Sequence, residues 1–366
     1  MSGPYPPIGT RVEELDTPAL LLDLDALERN LRRMADLMMR FGMALRPHVK
    51  THKCSIIGQL QMQAGAIGLT CAKLGEAEVM ADAGLRHLLI ANQVEGRIKV
   101  QRLIALAARS EVIVAVENVR NAQEIAAAAT TAGVCVDVII EVDTGMSRCG
   151  VLPGPDTLAL AQAIVALPGL RFRGLMGYEG HVVLLKSETE RRRLAEESVQ
   201  RLLGAAADLR AAGLEVEIVS AGGTGTTLIT GQAKGITDIQ AGSYVVMDAT
   251  YRQVLPEFEN ALFILASVMS RRNGKYVVLD MGKKAATEEF GLPVLRDMPG
   301  ARLVGLSEEH AKVELTDPHG PLRIGDKVWV IPSHCCTTIN LHDEYFCVRG
   351  GRLEAIWPID ARGKVR

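Results

Sequence analysis

Three short stretches hold residues whose types and spacing suit chemistry. The first is Leu45-Arg46-Pro47-His48-Val49-Lys50-Thr51-His52-Lys53. A lysine attacks a carbonyl only as the free amine, and cationic neighbours and desolvation both lower the pKa of an ammonium. Arg46, Lys53 and two histidines provide cationic neighbours, so Lys50 is a candidate Schiff-base lysine. A basic surface loop would have the same composition.

The second stretch is Ser220-Ala221-Gly222-Gly223-Thr224-Gly225-Thr226-Thr227. Glycines let the backbone approach an anion closely, and amides with threonine hydroxyls make a phosphate nest. The stretch lacks the Lys-Ser/Thr ending of a Walker loop and is not GxGxxG. A plain tight turn is the alternative. The third stretch runs from Pro332 to Asp343 and contains His334-Cys335-Cys336. In an extended segment side chains alternate, so His334 and Cys336 would point to one side. Imidazole plus thiolate suits Zn²⁺ or another borderline metal, and two ligands leave positions for water or substrate oxygens. A hydrogen-bonded histidine beside buried cysteines would read the same way.

The elements that must position these residues follow a strand–helix rhythm. Apolar runs at Ala19–Leu22, Ala66–Thr70, Leu88–Ala91, Val112–Val116, Val136–Val142 and Glu217–Ser220 alternate with helical patterns at Leu27–Phe41, Gly75–Ala83, Arg97–Ala108, Asn121–Thr131, Leu158–Ala166 and Ser187–Ala212. Near-continuous apolar strands between helices imply a parallel sheet covered on both faces. About eight such units suggest a (β/α)8 barrel, whose catalytic groups gather at the C-terminal strand ends and whose phosphate sites fall late. Lys50 is then expected at the end of a short barrel strand. After about Tyr251 come short strands broken by Gly, Pro, Asn and Asp: Leu262–Met269, Lys275–Asp280, Ala311–Leu315, Lys327–Ile331, Tyr345–Arg349 and Arg352–Pro358. The fold class is thus α/β plus β, with residues 27–255 as the barrel and residues 1–26 and 256–366 as a β-domain. The strand at Ala19–Leu22 suits either.

Composition narrows the partners. The chain has 366 residues, 48% hydrophobic and 23% charged, with a net charge of −2. That balance gives no electrostatic case for nucleic acid or an anionic membrane. Met1–Val12 has no apolar core and no run of 18 apolar residues occurs, so neither a targeting segment nor a span is expected. Seven cysteines without a CxxC pair fit a reducing, cytoplasmic setting.

In this order, the three stretches resemble the fold-type III pyridoxal-phosphate enzymes. More closely they resemble the metal-activated group of D-threonine aldolase, D-3-hydroxyaspartate aldolase and eukaryotic-type D-serine dehydratase. Further matching segments are Asp16-Thr17-Pro18-Ala19, Glu141-Val142-Asp143 through Arg148-Cys149-Gly150, Gln240-Ala241-Gly242-Ser243-Tyr244 with Met247-Asp248, Asn340-Leu341-His342-Asp343, and Trp357-Pro358 to Ala361-Arg362-Gly363. The resemblance implies an alanine-racemase-like barrel with a C-terminal antiparallel β-domain. Lys50 would carry pyridoxal 5′-phosphate, and Gly222, Gly223, Thr224 and Gly225 would hold the phosphate. Further cofactor contacts would come from His48, Arg148, Tyr178 and Tyr244. His334 and Cys336 would bind Mn²⁺, Mg²⁺ or Zn²⁺, in a homodimer.

Two departures bear on the reaction. The aldolases usually carry an aspartate two residues after the metal histidine, where this chain has Cys336, as the dehydratases do. They also show a Tyr-His-Gly segment and a later histidine, where this chain has Tyr178-Glu179-Gly180-His181 and Leu184. His181 is the candidate local base, or else a rim histidine. The C-terminal half leans to the aldolases. The expected reaction is retro-aldol cleavage of a D-β-hydroxy-α-amino acid to glycine and an aldehyde, with dehydration to a 2-oxo acid and ammonia as the alternative. A racemase would have no use for the metal pair, and a non-catalytic cofactor carrier would lack the β-domain.

Overall fold

The computed structural model describes residues 5–366 except 273 and 321. Residues 1–4, which open the segment expected to join the β-domain, lie outside the described residues. The chain forms two compact units. One comprises residues up to Arg33, Thr51–Cys54 and Ser243–Arg362; the other comprises Met34–Lys50, Ser55–Gly242 and Gly363–Arg366.

In chain order the elements begin with β1 (Ala19–Asp23), α1 (Leu24–Phe41), β2 (Ala44–Leu45), α2 (Ser55–Gln63), β3 (Leu69–Cys71), α3 (Leu74–Asp82), β4 (Leu88–Gln93) and α4 (Arg97–Ala107). There follow β5 (Val112–Val116), α5 (Val119–Ala132), β6 (Val136–Glu141), α6 (Pro155–Val165), β7 (Leu170–Met176), α7 (Glu188–Ala211), β8 (Ile218–Ala221), α8 (Thr227–Thr230) and β9 (Asp238–Ile239). Strands β2 to β9 form one all-parallel sheet in the order β2-β9-β8-β7-β6-β5-β4-β3. The segment continuing β2 closes it: Ile67 N donates to Leu45 O, Thr70 N to Pro47 O and Val49 N to Thr70 O. Alternation along the strands explains the apolar runs. Leu89, Ile113, Ala115, Ile139, Met176 and Ile218 make one buried cluster, while the residues between them face the other way.

Strand β7 has no apolar signature because Arg171 and Arg173 occupy its first half. Both guanidiniums pair with Asp137 of β6, and Arg173 also pairs with Glu217. Helix ends follow local chemistry. The Asn118 side chain accepts from Asn121 N at the start of α5, and Gly133, at φ 67°, closes it in the left-handed region.

The second sheet belongs to the other unit. After α9 (Tyr251–Val254) come β10 (Leu262–Arg272), β11 (Tyr276–Leu279), β12 (Val294–Leu295), β13 (Ala301–Leu306), β14 (Ala311–Leu315), β15 (Lys327–Ile331), α10 (Cys335–Ile339), β16 (Glu344–Arg349) and β17 (Arg352–Pro358). β1 joins this sheet, antiparallel to β10 and parallel to β16; every other pair is antiparallel. That decides where the first strand belongs. Leu21, Phe263, Leu265, Val348 and Leu353 form its core with Val12 and Leu15. The strands β12 and β13 carry no period-2 apolar pattern long enough to read. Among the described residues no helix is long and apolar enough to cross a membrane.

Candidate active site

In the barrel unit the chemistry collects around one ring. Because the strands are parallel, their C-terminal ends share a face. The Lys50 ammonium lies 5.5 Å from the centroid of the Tyr178 ring, and the Arg148 guanidinium 5.7 Å from the same ring. A Cβ placed on Gly223 would come within 3.0 Å of that ring and 3.5 Å of its hydroxyl. Tyr178 follows β7 and Gly223 follows β8, so the amine, the guanidinium and the glycine turn meet at one aromatic side chain. His48 is buried and its Nδ1 faces the Lys50 amide at 3.5 Å.

Arg46 plays a different part from the one its spacing suggested. It is 5% exposed, donates to His87 O and pairs with Asp238 at 3.5 Å. Lys53 falls in the other unit. The cation that shares a ring with Lys50 is Arg148. Its loop is folded by Asp143, whose carboxylate accepts from Gly145 N and Ser147 N. Arg148 also lies 3.7 Å from Glu141, at the end of β6. Burial pushes the Glu141 carboxyl above its ordinary range, against the opposing effects of Gln93 and Arg148.

The glycine turn is built from below. The buried Glu179 carboxylate accepts from Thr230 Oγ1 at 2.6 Å, Thr226 Oγ1 at 2.7 Å and Gly222 N at 3.3 Å. Thr227 Oγ1 donates to Gly223 O. The hydroxyls of Thr226 and Thr227 therefore hold the turn rather than face a ligand. Gly225 packs so tightly that a Cβ would meet Val183 O at 1.8 Å. Glu179 was missed from sequence as a working residue, although it stands at the position where the pattern departs from the aldolases. His181 is exposed and its ring lies 3.6 Å from a Cβ built on Gly145, beside the loop that carries Arg148.

The β-sheet unit holds the second group. Residues 334–336 are not one extended run. His334 is extended, at φ −137°, and is the N-cap of α10, while Cys336 lies in its first turn. The two side chains meet because the helix start brings them together, and each shifts the protonation of the other. The Cys335 amide donates to Asp248 at 2.9 Å, and the same buried carboxylate accepts from Thr250 N and Tyr251 N. Asp248 thus fixes the start of α10; the sequence held it in the Met247-Asp248 segment without assigning it work.

Cys336 Sγ lies 3.3 Å from Thr51 Oγ1 and 3.8 Å from Ser243 Oγ. Hydrogen bonding from Cys335 and then from His334 draws the Cys336 thiol well below the ordinary thiol range, against its burial. Burial pushes the Cys335 thiol the other way. Burial works to lower His334, but Cys336 and Glu289 outweigh it and hold the imidazole at about 9. Tyr244 is buried edge-on to Phe258, with ring centroids 5.9 Å apart. An imidazole beside a thiol of depressed pKa is a donor set suited to a borderline divalent metal.

Comparison with known proteins assigns the class first. The family described as alanine racemase, N-terminal domain, matches residues 22–250, and the putative serine dehydratase domain matches residues 261–348. The chain belongs to the alanine racemase N-terminal domain family, with the alanine-racemase-like barrel and a separate, mostly antiparallel sheet. Within it, the chain belongs with the D-threonine aldolases, 3-hydroxy-D-aspartate aldolases and related dehydratases. It is 37% identical to the 3-hydroxy-D-aspartate aldolase of Paracoccus denitrificans (strain Pd 1222), over 97% of this chain and 94% of the relative. The structure of D-threonine aldolase from Filomicrobium marinum superposes with a TM-score of 0.96 at 40% identity, covering 99% of this chain and 100% of that one. The D-threo-3-hydroxyaspartate dehydratase of Delftia sp. HT23 gives 0.86 at 30% identity, over 95% and 98%. Structures of that dehydratase include two alanine variants, at a histidine and at a cysteine two positions further on, the second in the metal-free form.

Proposed function

We propose that this protein is a pyridoxal-phosphate- and divalent-metal-dependent lyase that cleaves D-β-hydroxy-α-amino acids to glycine and an aldehyde. The observation that carries the cofactor reading is the meeting of Lys50, Arg148 and Gly223 at the Tyr178 ring. The residues fit the group: a primary amine, an aromatic face, and a glycine turn crowded at 223 by the Tyr178 ring and blocked at 225 by the Val183 backbone. Bound there, pyridoxal phosphate supplies an electron sink that labilises bonds to the substrate Cα.

Lys50 supplies the amine that would tether the cofactor; in the second reading, dehydration, it would also be the base that takes the Cα proton. Gly222, Gly223, Thr224 and Gly225 form the anion cradle, and Glu179 holds its shape. Arg148, with Glu141 behind it, keeps positive charge beside the ring, and His48 supports the lysine from its own strand. His334 and Cys336 would hold the metal, which supplies Lewis acidity toward a substrate oxygen. Thiolate with imidazole favours Zn²⁺ among the borderline ions, while Mn²⁺ or Mg²⁺ would be the harder alternatives. His181 lies beside the Arg148 loop and is the proposed acceptor of the β-hydroxyl proton. Tyr244 completes the proposed cofactor contacts, and a homodimer is the proposed assembly.

The full-length match to aldolases supports carbon–carbon cleavage. The His334–Cys336 pair favours the second reading, dehydration, because the Delftia dehydratase variants were made at a histidine and cysteine of the same spacing. Incubation with D-threonine, D-serine and D-3-hydroxyaspartate plus Zn²⁺ or Mn²⁺ separates the two. Glycine and an aldehyde support the proposal; 2-oxo acid and ammonia replace it with the second reading.

A further inference from the structure

We infer that Glu289 is a positioning residue that fixes the tautomer of His334 and presents its Nε2 as the ligating atom; the inference rests on the proposed metal pair. His334 Nδ1 lies 2.7 Å from Glu289 Oε2. An ionised carboxylate only accepts hydrogen bonds, so Nδ1 keeps its proton and Nε2 is the nitrogen that gives up its own when a metal binds. The same carboxylate oxygen accepts from Thr337 Oγ1 at 3.0 Å, which ties Glu289 to α10. The next residue, Phe290, stacks on the imidazole, with centroids 4.2 Å apart and planes 20° from parallel.

One loop between β11 and β12 thus restrains the imidazole twice, by a hydrogen bond in its plane and by a ring across its face. Rotation about the histidine side chain would break both. A carboxylate on the far nitrogen of a ligating histidine fixes ring orientation and raises basicity, and loss of such a partner costs metal affinity. The Glu289 side chain is 44% exposed. Its removal leaves no buried cavity, and Cys336 still faces the imidazole, so the fold does not depend on it.

The test compares wild type with Glu289→Ala and Glu289→Gln in the full-length protein stripped of metal. Zn²⁺ affinity is read by competition with a chromophoric chelator, and Co²⁺ binding by the thiolate-to-cobalt absorption. Glu289→Ala is expected to weaken both metals about 10- to 100-fold. Glu289→Gln, whose amide oxygen still accepts from Nδ1, retains most of the affinity. Cofactor affinity and thermal midpoint stay at the wild-type values. Glu289→Ala binding metal as tightly as wild type would overturn the inference alone. Glu289→Gln falling as far as Glu289→Ala would also overturn it, since charge or direct ligation would then be the cause. Wild type binding neither ion would remove the metal pair itself and this inference with it.

Discussion

The shortest hydrogen bond to Glu179 comes from Thr230, 2.6 Å away and 51 residues further along the chain. Together with Thr226 and the Gly222 amide, it places a carboxylate directly beneath the glycine turn. Glu179→Ala leaves the Thr230 hydroxyl and the Gly222 amide without their acceptor, at about 1–3 kcal/mol each, and Thr226 with its longer bond to Gly223 O at 3.3 Å. The turn should loosen, and pyridoxal-phosphate affinity should fall at least about tenfold, the equivalent of ~1.4 kcal/mol. Absorbance titration of the cofactor-free protein measures this; an unchanged dissociation constant would show that the turn does not need the brace.

Lys50→Ala should abolish the visible absorption band of the cofactor–lysine adduct, and activity with it. If the variant keeps that band, another lysine carries the cofactor.

Removal of metal should stop turnover while the cofactor stays bound. Exhaustive chelation, followed by Zn²⁺ or Mn²⁺, checks this, and His334→Ala and Cys336→Ala should resist the rescue. Full activity after chelation would refute a catalytic metal.

His342 makes stability depend on pH. Burial lowers its pKa below the ordinary 6.5, against its hydrogen bond to Ala285 O. The unfolded chain therefore takes up a proton at a higher pH than the folded one. Stability is full above about 6.5 and declines as pH falls from there through the depressed folded value. His342→Gln should flatten that decline, read as denaturation midpoints between about pH 7 and 5. An equally steep decline in the variant would remove His342 as the cause.

Two glycines should respond in opposite directions. Alanine at 225 would put its Cβ 1.8 Å from Val183 O, and such overpacking costs typically about 1–3 kcal/mol. Gly204, inside α7, has nothing within 4 Å of the added carbon, so Gly204→Ala should stabilise by roughly 0.5–1 kcal/mol. Paired denaturation curves decide both; destabilisation by the second change would mean α7 is packed at that point.

The sequence was most legible where one physical rule dominates. Val112–Val116 and Lys327–Ile331 are strands at the bounds their apolar runs suggest. β7 was hidden because its arginines serve ion pairs with Asp137 and Glu217, which no periodicity reveals. The His334 segment was read with the wrong backbone: a helix start, anchored by Asp248 from 87 residues away, does what alternation was expected to do. Glu289 left no local signal and Glu179 only a departure from the family pattern, since their partners are set by the fold and not by spacing.

The barrel's closure has a consequence for Lys50. His48 pairs with Thr70 as the chain closes the sheet, and the chain turns directly afterwards, at Val49 and Lys50. The place of the amine is therefore set by where that bridge forms. Deleting one residue between Leu45 and His48 would shift the bridge by one place and start the turn from a different residue. Pro47 lends stiffness there, since its ring fixes φ one residue before the bridge.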